Sequence, residues 1–374
     1  MVSRELGGER PKSSWFTSNR PFYPASTLQL SFTKIIVFME VFSLRTVPLV
    51  SIIIPSFNRH DLIPDTIKSV LAQTITDWEL LIVDDGSTDN TQEVVRSYAE
   101  SDSRIRCMER THQPKGPSSC RNIGITAAQA PYCIFLDSDD LLAPNCLEGR
   151  LSVARAEPDV ALHVFQMQLF HLQPGDTDKL LMYADANEAL GSTLLQGSPW
   201  GITCPLWRTT VLRDLNGFNE KLLSAEDWDL HIRAFITGCT YKTHAVVDCF
   251  CRRGHVSLMS QMQSAVHLLP KIGLFITLSQ LLDERSLPKY YKTRLAGNCL
   301  ALCGELSKIE LHQEADDTWV RFANEGVLTK KEYYFGLMYL HLRKKVFTNK
   351  LSIPTRVLRK FFSIVTSKDF SWGY

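Results

Sequence analysis

Short apolar runs alternate with amphipathic segments along the first part of the chain. The run at 49–54 ends at Pro55, and similar runs occupy 79–83 and 132–136. Continuous apolar runs of this length are typical of strands buried on both faces of a parallel sheet. The pattern therefore predicts an α/β fold with a doubly wound, mostly parallel sheet. The predicted strands are 49–54, 79–83, 104–108 and 132–136, and the predicted helices are 63–71, a segment ending at Tyr98, and 120–130.

The last third of the chain has a helical period instead. Apolar positions from Ile272 to Leu282 recur at helical spacing, and similar patterns cover 291–306 and 330–346. Residues 1–38 show no period, and a disordered or weakly structured extension is predicted for 1–46, with Met39 as an alternative start. The expected domains are this extension, an α/β domain at 47–260, and a mainly α-helical region at 261–374.

Composition and charge exclude several classes of protein. Of the 374 residues 44% are hydrophobic and 22% are charged, as in ordinary globular proteins. Lysine and arginine number 41 against 40 acidic residues, which argues against a chain-wide nucleic-acid surface. The ten cysteines include no CxxC pair, and a chain of this size needs no disulfide framework. Cys249 and Cys251 beside His255 have poor spacing for structural zinc, so reduced cysteines in a cytoplasmic protein are expected.

The C-terminal segment is basic. Residues 341–374 contain eight basic residues against one acidic residue, Asp369, with aromatic and aliphatic residues between them. Such a segment can lie in a membrane interface, or it can pack its apolar face on the rest of the protein. No membrane-spanning stretch is predicted. We expect a cytoplasmic protein with peripheral contact to the cytoplasmic face of the membrane as one of the two alternatives, and no nucleic-acid partner.

Acidic side chains follow two of the predicted strands. Asp84 and Asp85 end the second strand, and Asp137 and Asp139 follow the fourth. In open α/β sheets, ligands bind outside the carboxyl ends of the strands. One carboxylate can accept a hydrogen bond from a base or ribose, and an Asp-x-Asp pair can hold a hard divalent cation that bridges two phosphates. No glycine-rich dinucleotide or P-loop motif follows the first strand.

These motifs resemble glycosyltransferase family 2, a family of inverting enzymes with the GT-A fold. The resemblance covers residues 47–260. It rests on six segments in the family's order, at 50–58, 83–89, 120–124, 135–140, 217–220 and 225–230. Cys120 and Asn219 depart from the usual alanine and aspartate at positions on which the chemistry does not depend.

The resemblance implies a hexosyltransferase-type enzyme with a nucleotide-sugar donor, most often UDP-linked, and a divalent cation, manganese or magnesium. The implied nucleotide-binding residues are Pro55, Ser56, Asn58, Asp84 or Asp85 at the base, Arg121, and Asp137. The implied metal ligands are Asp139 and Asp137, with His255 near the metal or the diphosphate.

The catalytic base implied by the resemblance is Asp227, with Glu226 as the alternative. Inversion needs help for the leaving diphosphate on one face of the sugar and a carboxylate that takes the acceptor's proton on the other. Both residues could instead compensate the dipole of the helix that follows. Trp200 is expected at a loop mouth where it stacks on an acceptor sugar, and Trp228 is expected to pack on a ligand or in the core.

Two other classes remain open at this point. A nucleotidyltransferase should carry a glycine-rich loop with basic residues after the first strand, where this chain has Pro55-Ser56-Phe57-Asn58. A catalytically degenerate nucleotide-sugar-binding module should have lost acidic residues that are present here. The expected acceptor is a glycan, in a polysaccharide or cell-envelope pathway, or a lipid-linked oligosaccharide.

Overall fold

The computed structural model describes residues 47–181, 189–254 and 264–347. The predicted N-terminal extension, His255 and most of the basic C-terminal segment lie outside the described residues.

Eight strands form one mixed sheet in the order β3-β2-β1-β4-β7-β6-β8-β5. The strands are β1 Val50–Ser56, β2 Trp78–Asp84, β3 Ile105–Glu109, β4 Tyr132–Phe135, β5 Leu141–Leu142, β6 Leu162–Phe170, β7 Pro205–Arg208 and β8 Tyr241–Arg252. An α/β fold followed by helices confirms the predicted fold class.

The first half of the sheet is parallel. β1 pairs with β2 on one side and with β4 on the other, and β3 extends the sheet beyond β2. Every residue of β1 and β2 is buried, which explains why both strands are continuous apolar runs. The chain moves outward from β1 to β3 and then returns to the opposite side of β1. The carboxyl ends of β1 and β4 therefore flank a topological switch point, where such sheets bind ligands.

The second half of the sheet mixes directions. β7 is antiparallel to both β4 and β6, whereas β6 and β8 are parallel and β5 pairs antiparallel with β8. Strands β5 to β8 are not among the sequence predictions. β7 has only four residues, and most residues of β8 are partly exposed, so neither produces a continuous apolar run.

Helices cover the sheet and then continue as a separate layer. In the part of the chain that the structure describes, the helices are α1 Ile63–Leu71, α2 Thr91–Ser101, α3 Pro117–Ala127, α4 Cys146–Ala156, α5 Ala189–Gln196, α6 Thr209–Asp214, α7 Glu226–Ile236, α8 Ala265–Leu268, α9 Pro270–Glu284, α10 Lys289–Lys308, α11 His312–Asn324 and α12 Lys330–Phe347. α3 begins earlier than predicted because Pro117 suits the first turn of a helix.

The described residues form two hydrophobic cores, and α7 contributes to both. Leu230 and Ala234 belong to the core around the sheet, whereas Trp228, Ile232 and Ile236 belong to a second core with α9 to α12. The division at residue 260 stays a prediction, but the helical region clearly builds its core on a helix of the α/β part.

One segment, Ala265–Glu284, is long and apolar enough to cross a membrane by length and composition, and the sequence analysis did not identify it. In the structure, Leu274, Phe275, Leu278 and Leu282 on this segment are buried in the second core. A core helix meets the same test of length and composition.

Candidate active site

The ends of β1 and β2 are joined by side-chain hydrogen bonds. Asn58 has a left-handed backbone, with φ 51°, which turns the chain sharply after β1. Its Oδ1 accepts a hydrogen bond from the Thr88 backbone amide at 2.8 Å, and the backbone N–H of Asn58 donates to Ser87 Oγ at 2.9 Å. The side chain of Asn58 thus holds two loops together at the predicted nucleotide site. Ser56 is buried beside them, and its hydroxyl has no hydrogen-bond partner among the described residues.

The adjacent carboxylates of Asp84 and Asp85 have different roles. Asp84 Oδ2 accepts hydrogen bonds from the amides of Gly86 and Ser87 and from Gln92 Nε2, at 2.8–2.9 Å. These bonds close the turn and occupy the carboxylate. Asp85 Oδ1 accepts hydrogen bonds from Arg110 Nε and from the Gly116 backbone amide. No hydrogen bond to Asp85 Oδ2 is observed within the described residues. Of the two residues, Asp85 is the one able to accept a hydrogen bond from a base.

Three aspartates follow β4 within four positions of the chain. Asp137 is 39% exposed and pairs with Arg121 at 2.8 Å, whereas Asp139 is 17% exposed and lies 3.8 Å from Arg59 Nε. Asp140 is buried and accepts a hydrogen bond from the Arg252 amide at 3.0 Å. Burial, together with the charges of Asp137 and Asp139, raises the pKa of Asp140 well above its usual range.

This cluster suits a hard divalent cation. The carboxylate oxygens of Asp137 and Asp139 are ligands of the type that manganese and magnesium bind. Arg121 and Arg59 lie beside these two carboxylates and neutralise part of their charge. Among the described residues no three His, Cys, Asp or Glu side chains form a ready-made metal cage, so the protein would supply only part of a coordination shell. His255, the third predicted ligand, lies outside the described residues.

Arg121 connects the two acidic motifs. It lies on α3 with 4% of its side chain exposed, and it donates to Asp137 Oδ1 at 2.8 Å and to Glu226 Oε1 at 3.1 Å. Burial opposes its charge, but the two carboxylates outweigh that effect and raise the pKa of Arg121. Its Nε is buried without a partner in the described part of the chain. The predicted metal side and base side of the site therefore meet at one guanidinium group.

Glu226 and Asp227 open helix α7. Ala225 before them has a left-handed backbone, with φ 66°, although it is not glycine. Backbone strain of this kind is common where a loop orients side chains toward a functional site. Burial and the charge of Glu226 raise the pKa of Asp227 to about 6, against the weaker opposing effects of hydrogen bonds and Arg121. A carboxyl group with this pKa can serve as a general base near neutral pH.

α7 is held to α3 through the loop that precedes it. Asn122 on α3 exchanges hydrogen bonds with the backbone of Phe218 at 2.8 and 2.9 Å and donates to Glu220. Gly217, with φ 62°, has no room for a side chain because a Cβ atom there would overlap Asn122. Arg233 on α7 donates to the Gly217 carbonyl at 2.7 Å. The segment at 217–220 thus positions the two motifs relative to each other.

The prediction that Trp200 lies at a loop mouth is wrong. Trp200 is 1% exposed, donates to His231 Nε2 at 3.1 Å and packs against Phe235 and Tyr241. It presents no surface to an acceptor. Trp228 is a core residue as well, because it is 5% exposed and packs in the second core, where its Nε1 donates to the Thr193 carbonyl at 2.7 Å. The glycine and proline before Trp200 indicate a turn. The burial of the Trp200 side chain depends on the residues that pack around it, which the local sequence does not show.

Three residues at the site were missed by the sequence analysis. Arg59 lies beside Asp139, and Ser198 lies beside Asp227. Lys271, at the start of α9, is half-buried near Glu226 and Asp227; burial lowers its pKa, while the two carboxylates oppose that effect. Arg59 adjoins a recognised motif and could have been found from that position. Ser198 and Lys271 reach the site only through tertiary packing.

Comparison with known proteins identifies the family of this chain. The family model described as glycosyl transferase family 2 matches residues 51–170. An uncharacterized glycosyltransferase of Haemophilus influenzae is 40% identical over 226 residues, which are 59% of this chain and 85% of that protein. The putative teichuronic acid biosynthesis glycosyltransferase TuaG of Bacillus subtilis is 43% identical over 104 residues, which are 28% of this chain and only 41% of that protein.

A solved structure agrees on the fold. The crystal structure of S. aureus TarS 1–349 in complex with UDP-GlcNAc superposes with a TM-score of 0.60 at 17% identity, covering 79% of this chain and 88% of that one. Since the family model covers both strand-end motifs and the Haemophilus relative is matched over most of its length, this chain is a glycosyltransferase and belongs to glycosyltransferase family 2.

Proposed function

We propose that this protein transfers a sugar from a UDP-sugar to an acceptor hydroxyl with inversion, assisted by a divalent cation. One observation carries the proposal: Arg121 bonds both to Asp137 after β4 and to Glu226 beside Asp227. In this proposal the group that handles the diphosphate and the group that handles the proton would lie on two sides of a single site.

The nucleotide would bind at the switch point between β1 and β4. Asp85 has a carboxylate oxygen available for a base N–H, and Pro55, Ser56 and Asn58 line the turn beside it. Uridine is favoured because TarS, which shares the fold, is described in complex with UDP-GlcNAc. Asp84 would support this site indirectly by closing the turn that carries Asp85.

Asp137 and Asp139, with His255 as a further proposed ligand, would hold manganese or magnesium. A bound cation would act as a Lewis acid toward the departing diphosphate. Arg121 and Arg59 already neutralise part of the carboxylate charge, and Arg121 is close enough to Asp137 to meet a phosphate oxygen there. Arg121 would orient the diphosphate so that the sugar faces α7.

Asp227 would take the proton from the acceptor hydroxyl. With a pKa of about 6, its carboxyl group is mostly ionised at pH 7 and is more basic than an ordinary aspartate. A single displacement with the base opposite the leaving group inverts the anomeric carbon. Glu226 is tied to Arg121 and is less available for this role.

The acceptor would be a glycan or a lipid-linked oligosaccharide of the cell envelope. The name of the Bacillus relative refers to teichuronic acid biosynthesis, but this chain spans less than half of that protein. A cytoplasmic location with peripheral membrane contact through the basic C-terminal segment would bring the site to a lipid-linked acceptor.

Calorimetric titration of UDP, with and without Mn²⁺, tests the donor site. We expect binding that needs Mn²⁺ in the native protein and is lost in Asp139→Ala. Asp214→Ala removes an exposed carboxylate on α6 and should bind like the native protein. Binding that is equal with and without Mn²⁺ would contradict the metal assignment, and absence of UDP binding in both conditions would contradict the uridine assignment.

A further inference from the structure

Arg252, the last residue of β8, binds the turn at 137–140 that carries two of the proposed metal ligands. Its Nε donates to the backbone carbonyl of Asp139 at 3.1 Å, and its backbone N–H donates to Oδ1 of Asp140 at 3.0 Å. The side chain of Arg252 is 14% exposed. The turn follows β4, and two strands, β7 and β6, lie between β4 and β8 in the sheet. Arg252 therefore joins the proposed metal site to a distant strand.

Two hydrogen bonds hold one peptide unit of this turn. The unit between Asp139 and Asp140 donates its N–H to the Asp137 carbonyl at 3.1 Å, which closes the turn. Its carbonyl oxygen accepts the bond from Arg252 Nε. A peptide unit is planar, so bonds at its N–H and at its C=O fix the orientation of the whole plane. The Cα atom of Asp139 belongs to that plane, and the direction in which the Asp139 side chain leaves the backbone is restricted accordingly.

The guanidinium group of Arg252 is itself held in place. Its central carbon lies 4.8 Å from the ring centroid of Phe170, a fully buried residue at the end of β6. One of its terminal nitrogens lies 3.4 Å from Oδ2 of Asp65, in the first turn of α1. The planar arginine fork loses little conformational freedom for each hydrogen bond that it forms. The bond to the Asp139 carbonyl therefore comes from a preorganised donor.

Arg252 differs from the two arginines that meet the carboxylates. Arg121 bonds to Asp137 Oδ1 at 2.8 Å. Arg59 Nε lies 3.8 Å from Asp139 Oδ2. A cation bound by these carboxylates would compete with both arginines. Arg252 Nε donates to a backbone carbonyl instead, and that bond can persist when the carboxylates coordinate a cation.

We propose that Arg252 is a positioning residue for the divalent cation: it fixes the backbone of Asp139, so that the carboxylates of Asp137 and Asp139 are presented to the metal in one arrangement. The proposal rests on the metal site of the proposed function. Arg252 acts through Asp139 and takes no part in the transfer itself. Without Arg252, the turn would have to be ordered when the cation binds, and this ordering would be paid from the binding free energy.

The positive charge of Arg252, taken alone, predicts the opposite result. A positive group near a cation site repels the cation, so its removal would strengthen Mn²⁺ binding on electrostatic grounds. The positioning role predicts weaker binding after the same substitution. Loss of a residue that orients a metal ligand typically costs about 10–100-fold in metal affinity. The direction of the change therefore separates the two roles.

Arg252→Gln in the full-length protein tests the proposal. Calorimetry gives the Mn²⁺ concentration at which UDP binding is half-maximal, and we expect that concentration to rise about tenfold. In the metal-free protein we expect faster hydrogen exchange in a peptide that covers 137–140, because the peptide unit of the Asp140 N–H is no longer held at its carbonyl. Arg252→Lys is the milder variant, since it keeps the charge but has no Nε, and it should change both measurements in the same direction.

Arg208→Gln is the matched control. Arg208 on β7 also donates from Nε to a backbone carbonyl, that of Val160 at 3.0 Å, and it is likewise partly buried. This variant should keep the native Mn²⁺ requirement and the native exchange at 137–140. A Mn²⁺ requirement at or below the native value in both Arg252 variants would overturn the proposal, and so would exchange at 137–140 no faster than in Arg208→Gln. Native UDP binding that needs no Mn²⁺, or that survives in Asp139→Ala, would instead refute the metal site of the proposed function.

Discussion

At the scale of single residues, the acidic motifs combine two kinds of carboxylate. Asp84 is saturated by hydrogen bonds from its own turn, whereas Asp85 keeps an oxygen for a further donor. Asp229, two residues after Asp227, is likewise tied to Arg233 at 2.7 Å. Asp84 and Asp229 thus have partners within the protein, whereas Asp85 and Asp227 are the carboxylates to which the proposed function assigns a ligand. The acidic residues in these motifs should therefore respond very differently to substitution.

Asp227→Asn should abolish most of the catalytic rate and leave donor binding intact. The amide keeps the size of the side chain but cannot accept a proton, and general-base catalysis is typically worth about 10²–10⁴ in rate. Turnover measured with a UDP-sugar and acceptor should fall by that factor, while the calorimetric affinity for UDP with Mn²⁺ stays the same.

Asp214→Asn serves as the control for this substitution, because Asp214 is an exposed carboxylate at the end of α6. It should keep both rate and affinity. An Asp227→Asn enzyme with native turnover would show that another group takes the proton, with Glu226 as the next residue to substitute.

The rate should also depend on pH in a specific direction. The raised pKa of Asp227, about 6, means that its base form is lost when the pH falls through that value. Below pH 6 we expect kcat/KM to decrease about tenfold per unit, and above it we expect a plateau. The residual rate of Asp227→Asn, measured over the same range, should lack this decrease. A native profile that stays flat down to pH 4.5 would contradict the assignment.

The sequence predicts residues that lie at the ends of apolar strands and fails for residues brought in from a distance. Asp137 and Asp139 are identifiable because they directly follow the run at 132–136. Trp200 was misplaced because a turn-forming neighbourhood does not reveal what packs over it. Lys271 could not be assigned to the site from the sequence, because it lies 44 positions after Asp227 in a region without motifs.

At the scale of elements, the position of α3 determines the geometry of the candidate site. It carries Arg121 and Asn122, and it lies close against β1 at Gly124, where a Cβ atom would overlap the Ile53 side chain. The glycine is therefore needed for the close approach of helix and strand. Without that approach Arg121 could not reach both Asp137 and Glu226.

Gly124→Ala should destabilise the protein and weaken the site together. The extra methyl group forces α3 away from β1, and overpacking of this kind costs about 1–3 kcal/mol. We expect a lower free energy of unfolding in urea and weaker UDP binding, because Arg121 moves with the helix.

Gly149→Ala makes the same change on α4, at an exposed position where a Cβ atom would meet nothing within 4 Å. It should stabilise the protein by about 0.5–1 kcal/mol, as alanine does in an open helix interior. If both variants gained stability, the tight packing of α3 on β1 would be refuted.

The elements that the sequence predicts best are those with one consistent period. Helix 63–71 is found with the predicted bounds, the strand predicted at 79–83 is one residue longer at each end, and the strand predicted at 132–136 ends one residue earlier. β6 and β8 are long but carry polar residues within mixed burial patterns, so their period is weak. α11 was not predicted either, although Trp319 and Phe322 anchor it in the second core.

At the scale of the whole molecule, the helical region packs against α7, the helix that carries the proposed base. The face of α7 toward the sheet joins the first core, and the opposite face packs against α9, where Trp228 and Phe275 meet edge to face with 5.6 Å between ring centroids. Lys271 on α9 also lies near Glu226 and Asp227. Loss of the second core should therefore change the start of α7, where Asp227, the proposed base, lies.

Phe275→Ala tests this coupling. Phe275 is 5% exposed, and truncating a buried phenylalanine costs about 3–5 kcal/mol. We expect a lower free energy of unfolding and faster amide hydrogen exchange in α7 as well as in α9 to α11, because α7 is shared by both cores. Tyr334→Ala removes a 69% exposed aromatic side chain on α12 and should change stability by less than about 0.5 kcal/mol. Faster exchange confined to α9–α11, with α7 as protected as in the native protein, would show instead that the helical region unfolds on its own and that the geometry of the base does not depend on it.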